Sequence, residues 1–139
     1  MNMKTNIAVL ALMALVTFIS GCGGKTGPEV YSISGMVNLD GQPLPLGSML
    51  FKDPAGEVKS YFATIKDGSY STELQPGKWQ VQITAMRESK TETEPSADGS
   101  GVVPATEQYL PARYNEKTTL EVEVTSDGEN TFNFDLESE

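Results

Sequence analysis

Apolar and polar side chains alternate with a period of two along most of the chain from Tyr31 to Leu136, and that rhythm confines it to strands. Only in extended backbone do successive side chains point to opposite faces, so that residues two apart share one face. The plainest run covers residues 78–85, where Trp79, Val81, Ile83 and Ala85 alternate with Lys78, Gln80, Gln82 and Thr84. Tyr31, Ile33, Val37 and Leu39 alternate in the same way with Ser32, Ser34 and Asn38. Residues 47–52 form a second strand that buries Met49 and Phe51. Residues 58–65 form a third, with two inner sets open to it: Tyr61, Ala63 and Ile65, or Phe62 and Thr64. Tyr70, Thr72 and Leu74 mark another strand, and Leu120, Val122, Val124 and then Phe132, Phe134, Leu136 mark the last two.

Turn signals separate these runs. Asp40-Gly41, Asp67-Gly68 and Asp127-Gly128 suit the positive φ of tight hairpins, and Asp53-Pro54-Ala55-Gly56 and Gln75-Pro76-Gly77 reverse the chain between other strands. No stretch after residue 22 carries a helical stripe. Seven short, closely spaced strands predict an all-β domain over residues 30–139, a Greek-key β-sandwich. Between Arg87 and Tyr109 the alternation vanishes, and residues 88–108 are rich in Glu, Ser, Thr, Gly and Pro. That composition predicts a mobile, disordered surface loop between the fifth and sixth strands.

The N-terminal segment has a different character. Lys4 precedes residues 7–19, IAVLALMALVTFI, in which Thr17 is the one polar member. Thirteen residues fall short of the roughly 20 that a spanning helix needs, and fit the apolar core of a signal helix. The run ends at Ile19-Ser20-Gly21-Cys22, which resembles the bacterial lipobox. The resemblance implies that residues 1–21 are a signal peptide cleaved between Gly21 and Cys22, with the Cys22 thiol acylated. Each buried CH₂ contributes roughly 0.8 kcal/mol, so two or three acyl chains hold firmly where one does not. Gly23, rather than Asp, follows the cysteine, and by the same resemblance points to an outer membrane. Residues 22–29 read as a flexible tether at most about 25 Å long, which places the domain close to the lipid, facing the periplasm or the exterior.

Charge and missing residue types exclude several functions. The chain has 10 Lys+Arg, 19 Asp+Glu and no histidine; removing residues 1–21 takes away only Lys4, which leaves a formal charge of −10. Such a surface repels nucleic acid and anionic headgroups, so a bilayer is reached through acylated Cys22 and not through basic patches. One cysteine and no histidine exclude N/S zinc sites and any catalytic dyad or triad with an imidazole base.

Three segments share one pattern: residues 34–44 (SGMVNLDGQPL), 63–70 (ATIKDGSY) and 74–81 (LQPGKWQV). They resemble carboxypeptidase regulatory-like, transthyretin-like domains, above all those of small lipoproteins of the Planctomycetes type. Leu110-Pro111-Ala112-Arg113-Tyr114-Asn115 is similar to a further block of those lipoproteins. The resemblance spans about residues 30–136 and implies a transthyretin (prealbumin)-like sandwich in an accessory module. Transthyretin-like hydrolases use histidines and a C-terminal Tyr-Arg-Gly-Ser; this chain has no histidine and ends Asp135-Leu136-Glu137-Ser138-Glu139. Pilin-type relatives crosslink through a lysine on the first strand, and residues 31–39 contain none.

The remaining chemistry-bearing residues have plain explanations. Asp40, Asp67 and Asp127 sit in separate turns, so turn geometry accounts for them better than calcium, whose ligands must converge. Glu121 and Glu123 share a solvated strand face, without the desolvation that general acid–base work needs. Trp79, Tyr61 and Tyr70 could stack on a sugar, but their period places them in the core. Tyr109 and Tyr114, outside any clear strand, are the candidate surface-contact residues, with packing over an end of the sandwich the favoured alternative. The chain thus reads as a non-catalytic, membrane-tethered structural or interaction module of the cell envelope, without metal or cofactor, whose partner is an envelope protein or glycan. The alternative is a glycan- or small-ligand-binding module using exposed aromatics.

Overall fold

Two Asp-Gly pairs set the hairpins on which the fold turns. Asp40 and Gly41 have φ of 52° and 77°, and Asp67 and Gly68 have 50° and 77°. Positive φ at both central residues is the two-residue hairpin turn whose twist matches the flanking strands. The first joins β1 (Tyr31–Leu39) to the short β2 (Gln42–Pro43), and the second joins β4 (Tyr61–Lys66) to β5 (Ser69–Leu74). The computed structural model describes residues 27–139, so the signal helix, the Gly21/Cys22 cleavage site and residues 22–26 of the tether lie outside the described residues.

The remaining strands are β3 (Leu46–Lys52), β6 (Gly77–Thr84), β7 (Met86–Pro95), β8 (Val102–Gln108), β9 (Glu121–Val124) and β10 (Phe134–Leu136), with a 3₁₀ turn at Ala112–Tyr114. The main sheet runs β10-β1-β5-β4-β3-β6-β9, with β2 added to β1. Its pairs are antiparallel except β1 with β10, which are parallel with Val37 opposite Phe134. β4 and β5 pair only at Lys66 and Ser69, next to their turn. Beyond it β5 follows β1 and β4 follows β3, so the sheet curls over and encloses its inner side chains.

The inner face is the one the alternation predicts. Ile33, Val37, Met49, Phe51, Ile65, Leu74, Val81 and Ile83 are fully buried, and Trp79 is 2 % exposed. Trp79 meets Tyr61 edge-on at 5.3 Å and donates from its indole N–H to the Gln75 carbonyl at 2.9 Å. β4 turns Tyr61, Ala63 and Ile65 inward, which leaves Phe62 70 % exposed.

All seven expected strands are present, and three begin later than the alternation implies. The third starts at Tyr61 and not at 58, because the Asp53 carboxylate accepts the backbone N–H groups of Ala55, Glu57 and Val58 and holds them in a loop. Those bonds also hold the Asp53 carboxyl below the usual aspartate range. The last two begin at Glu121 and Phe134.

One expectation is overturned. Residues 88–108 are not a disordered loop: β7 and β8 pair antiparallel as a two-stranded arm, with Met86 opposite Gln108 and Pro95 opposite Val102. The ladder slips between Glu88 and Thr93, where Ser89 Oγ accepts the N–H groups of Thr91 and Glu92. Ladder bonds and this bulge hold the segment with little burial: Ser89 is the one buried residue in either strand.

Candidate functional site

The arm continues the line of β6 past the edge of the sheet. Val81, Ile83 and Ala85 face the core; two residues further on, Arg87 falls on the same side. Its Nε donates to Glu107 Oε1 at 2.7 Å, and its guanidinium lies 5.0 Å from the centre of the Tyr109 ring. The Arg87 hydrogen bond holds the Glu107 carboxyl below its usual range. The root is fastened by Gln108: the Ala85 N–H donates to its Oε1 at 2.9 Å, and its Nε2 donates to the Leu110 carbonyl.

The two candidate surface-contact tyrosines take the alternative and pack against the domain. Tyr109 is half-buried beneath Arg87, and Tyr114 is buried at 9 % exposure, so together they do not form an exposed aromatic platform. Tyr114 is drawn inward by the 3₁₀ turn, and its hydroxyl accepts the Glu137 N–H at 2.9 Å. Arg113 stacks on the Tyr114 ring at 4.9 Å and donates to the carbonyls of Glu137 and Glu139. Asn115, also buried, donates to the carbonyls of Leu110 and Pro111. The Leu110–Asn115 block thus closes the end of the core and clamps the C-terminal segment.

Glu121 and Glu123 are exposed on β9, with Lys78 opposite Glu123. Asp40 and Asp67 occupy their turns, and Asp40 Oδ1 also accepts the Ser138 N–H. Among the described residues no group of three or more Cys, Asp or Glu side chains is arranged to hold a metal ion.

Sequence reasoning missed the outer face of the arm. Directly paired residues share a face, so Met86, Glu88, Thr93, Pro95, Val102, Pro104, Thr106 and Gln108 form one side, all of them exposed. Among these paired residues Glu88 is the one charged side chain, and the exposed Lys90 and Glu92 stand in the bulge beside it. Val102 is 70 % and Met86 53 % exposed. At the root, Met86 and Leu46 line a shallow pocket of about 220 Å³ with Ser48, Thr64 and Thr84. Leu46 is 62 % exposed; Phe62, also on the outer face, stands opposite Leu50 toward the other end of the sheet, beyond the Ser48–Thr64 pair.

The tip is ordered by Asp98, whose Oδ1 accepts the Ser96 hydroxyl and the Ser100 N–H. The hydroxyls of Ser100 and Ser96 bring its carboxyl down to about 2 from an ordinary 3.8. A depressed value in the folded state means that these bonds contribute fully above pH 3.8 and are lost as pH falls through about 2. Carboxyl carbon NMR shifts are expected to show Asp98 titrating near pH 2; a midpoint near 4 would show that the tip is not ordered this way.

Compared with known protein families, with characterised proteins and with solved structures, the chain matches none.

Proposed function

We propose that this chain is a lipid-anchored, non-catalytic interaction module of the cell envelope, carried on a Greek-key sandwich of the transthyretin-like, carboxypeptidase regulatory-like type. The observation that carries the reading is polar: tether and arm lie at opposite ends of the sheet. Pro28, near the end of the tether, lies beside Val58, Tyr61 and Gln75. The same end holds Tyr31 opposite Leu74 and Phe51 opposite Tyr61. Leu39 and Leu136, the start of β3 and the root of the arm lie at the other end. A domain held at Cys22 therefore presents its arm away from the lipid. The absence of histidine and the solvated setting of Glu121 and Glu123 support a role in contact over one in catalysis. Glycan binding through Tyr109 and Tyr114 finds no support, because Tyr114 is buried and Tyr109 lies under Arg87.

The anchor is tested by detergent-phase partitioning of the full chain expressed in a lipoprotein-processing bacterium. The wild type is expected in the detergent phase, and Cys22→Ser in the aqueous phase. Equal partitioning of the two defeats the proposal.

A further inference from the structure

Aspartate is followed by glycine at Asp40-Gly41, Asp67-Gly68, Asp98-Gly99 and Asp127-Gly128. Glycine has no side chain to shield its nitrogen, so all four steps are open to the same ring closure. The glycine nitrogen attacks the aspartate Cγ, and an N–Cγ bond forms. The nitrogen gives up its proton and the carboxyl gives up its hydroxyl, and the two leave as water. The product is a five-membered succinimide. Water then breaks one of its two C–N bonds. Breaking the new N–Cγ bond restores aspartate; breaking the original peptide bond leaves isoaspartate, in which the main chain runs through Cβ and Cγ. The reaction needs a neutral carboxyl, a nitrogen that is not held by an acceptor, and a backbone that brings the two together.

The fold denies these conditions at three steps. Asp40 and Asp67 are held in the left-handed region, with φ of 52° and 50°. At the ψ of about +47° typical of that region the glycine nitrogen stands nearly anti to Cβ, whereas ring closure needs the two nearly eclipsed. Asp40 Oδ1 also accepts the Ser138 N–H, and the Gly68 N–H donates to the Leu44 carbonyl at 2.8 Å. At the tip of the arm both reacting groups are occupied. The Gly99 N–H donates to the Ser96 carbonyl at 3.0 Å, and Asp98 Oδ1 accepts the Ser96 hydroxyl and the Ser100 N–H. With its carboxyl down at about 2, the neutral form of Asp98 is also rarer by nearly two decades than that of an ordinary aspartate.

Asp127 and Gly128 are under none of these restraints. They lie exposed in the bend between β9 and β10, and neither has a positive φ. Among the described residues the Gly128 N–H has no acceptor and no cation pairs with Asp127. The Asp127 carboxyl accepts only the hydroxyl of its neighbour Ser126, at 3.3 Å. The ends of the bend are fixed by Asn130, whose Oδ1 accepts the Thr125 N–H and whose Nδ2 donates to the Thr125 carbonyl. We infer that Asp127 is the position at which this chain isomerises to isoaspartate, through a succinimide with Gly128, while the fold protects the other three steps. The extra main-chain carbon falls inside the Thr125–Asn130 bracket, so the ladders of β9 and β10 stay in place. The inference stands whether or not Cys22 carries lipid.

The test is incubation of the full-length chain for weeks at mildly acid pH, followed by digestion with trypsin. Each step then falls on its own peptide: residues 26–52, 67–78, 91–113 and 118–139. An isoaspartyl peptide keeps its mass, separates by chromatography and is located by electron-transfer fragmentation. Isoaspartate in 118–139 is expected at least fivefold above that in each of the other three. In concentrated urea the lead is expected to fall below twofold, because the reacting pair is the same at every step. Replacing both hydroxyls at the tip, Ser96→Ala with Ser100→Ala, is expected to raise conversion at Asp98 at least threefold and to leave Asp127 unchanged. Conversion at Asp127 no greater than at another step overturns the inference. So does a lead that survives urea undiminished, or an Asp98 indifferent to the loss of both hydroxyls.

Discussion

Gly35→Ala is expected to cost about 3–5 kcal/mol of folding stability, the sum of overpacking and a lost buried hydrogen bond. Gly35 lies on the inner side of β1 between the buried Ile33 and Val37, in register with Tyr70. A Cβ at this position would lie 1.8 Å from the Phe132 carbonyl oxygen and 2.7 Å from its carbon. These are backbone atoms, so no rotamer relieves the clash. The obstruction is also tied in place: Phe132 N–H donates to the Ser34 carbonyl at 2.9 Å, and the Tyr70 hydroxyl donates to the Phe132 carbonyl at 2.7 Å. Moving that peptide breaks the seam between β1 and the segment leading to β10, and deprives Tyr70 of its partner. Elsewhere in a strand alanine would be tolerated or mildly favourable, because glycine carries an entropic cost there. Trp79 is the one tryptophan and is buried, so its emission follows unfolding in urea. A midpoint equal to that of the wild type would falsify the close approach.

The sequence carried the inner face of the sheet because burial on one side only imposes a period of two. Trp79, Val81 and Ile83 could face the core only if Gln80, Gln82 and Thr84 faced out. Where that asymmetry fails, so does the reading. On β4 both faces carry an aromatic residue, Tyr61 and Phe62, and alternation has no preference between them. The arm is exposed on both sides, so its strands have no apolar stripe and their ladder leaves little trace in composition. Glu, Ser and Thr then resemble disorder, although Arg87, placed to pair across with Glu107, was one available sign of order. Tyr114 lies in an irregular segment, where period says nothing about direction; its burial depends on the 3₁₀ turn and on the distant C-terminal segment. Gly35 did carry a signal. A glycine at an inward position of an otherwise alternating strand marks a place where another backbone comes close. Cys22 and the export signal are legible only as sequence, since they lie outside the described residues.

Phe51→Ala and Phe62→Ala remove the same side chain from neighbouring strands and are expected to differ by about 3–5 kcal/mol in stability. Phe51 is completely buried, with its ring 6.3 Å from that of Tyr70, and truncating it leaves a cavity among residues that are themselves held by paired strands. Phenylalanine-to-alanine changes at such sites cost about 3–5 kcal/mol. Phe62 lies one register step away, since Leu50 pairs with Phe62 and Phe51 with Tyr61, but it points outward and is 70 % exposed. Its loss removes little buried area, and surface changes of this kind stay within about 0.5 kcal/mol. Urea midpoints of the two variants, read from Trp79, decide which face of β4 meets the core. Were β4 shifted by one residue, the inner set would be Phe62 and Thr64, and Phe62→Ala would be as damaging as Phe51→Ala. Two similar losses would therefore reject the curled sheet in the register described, and with it the outward direction of Phe62.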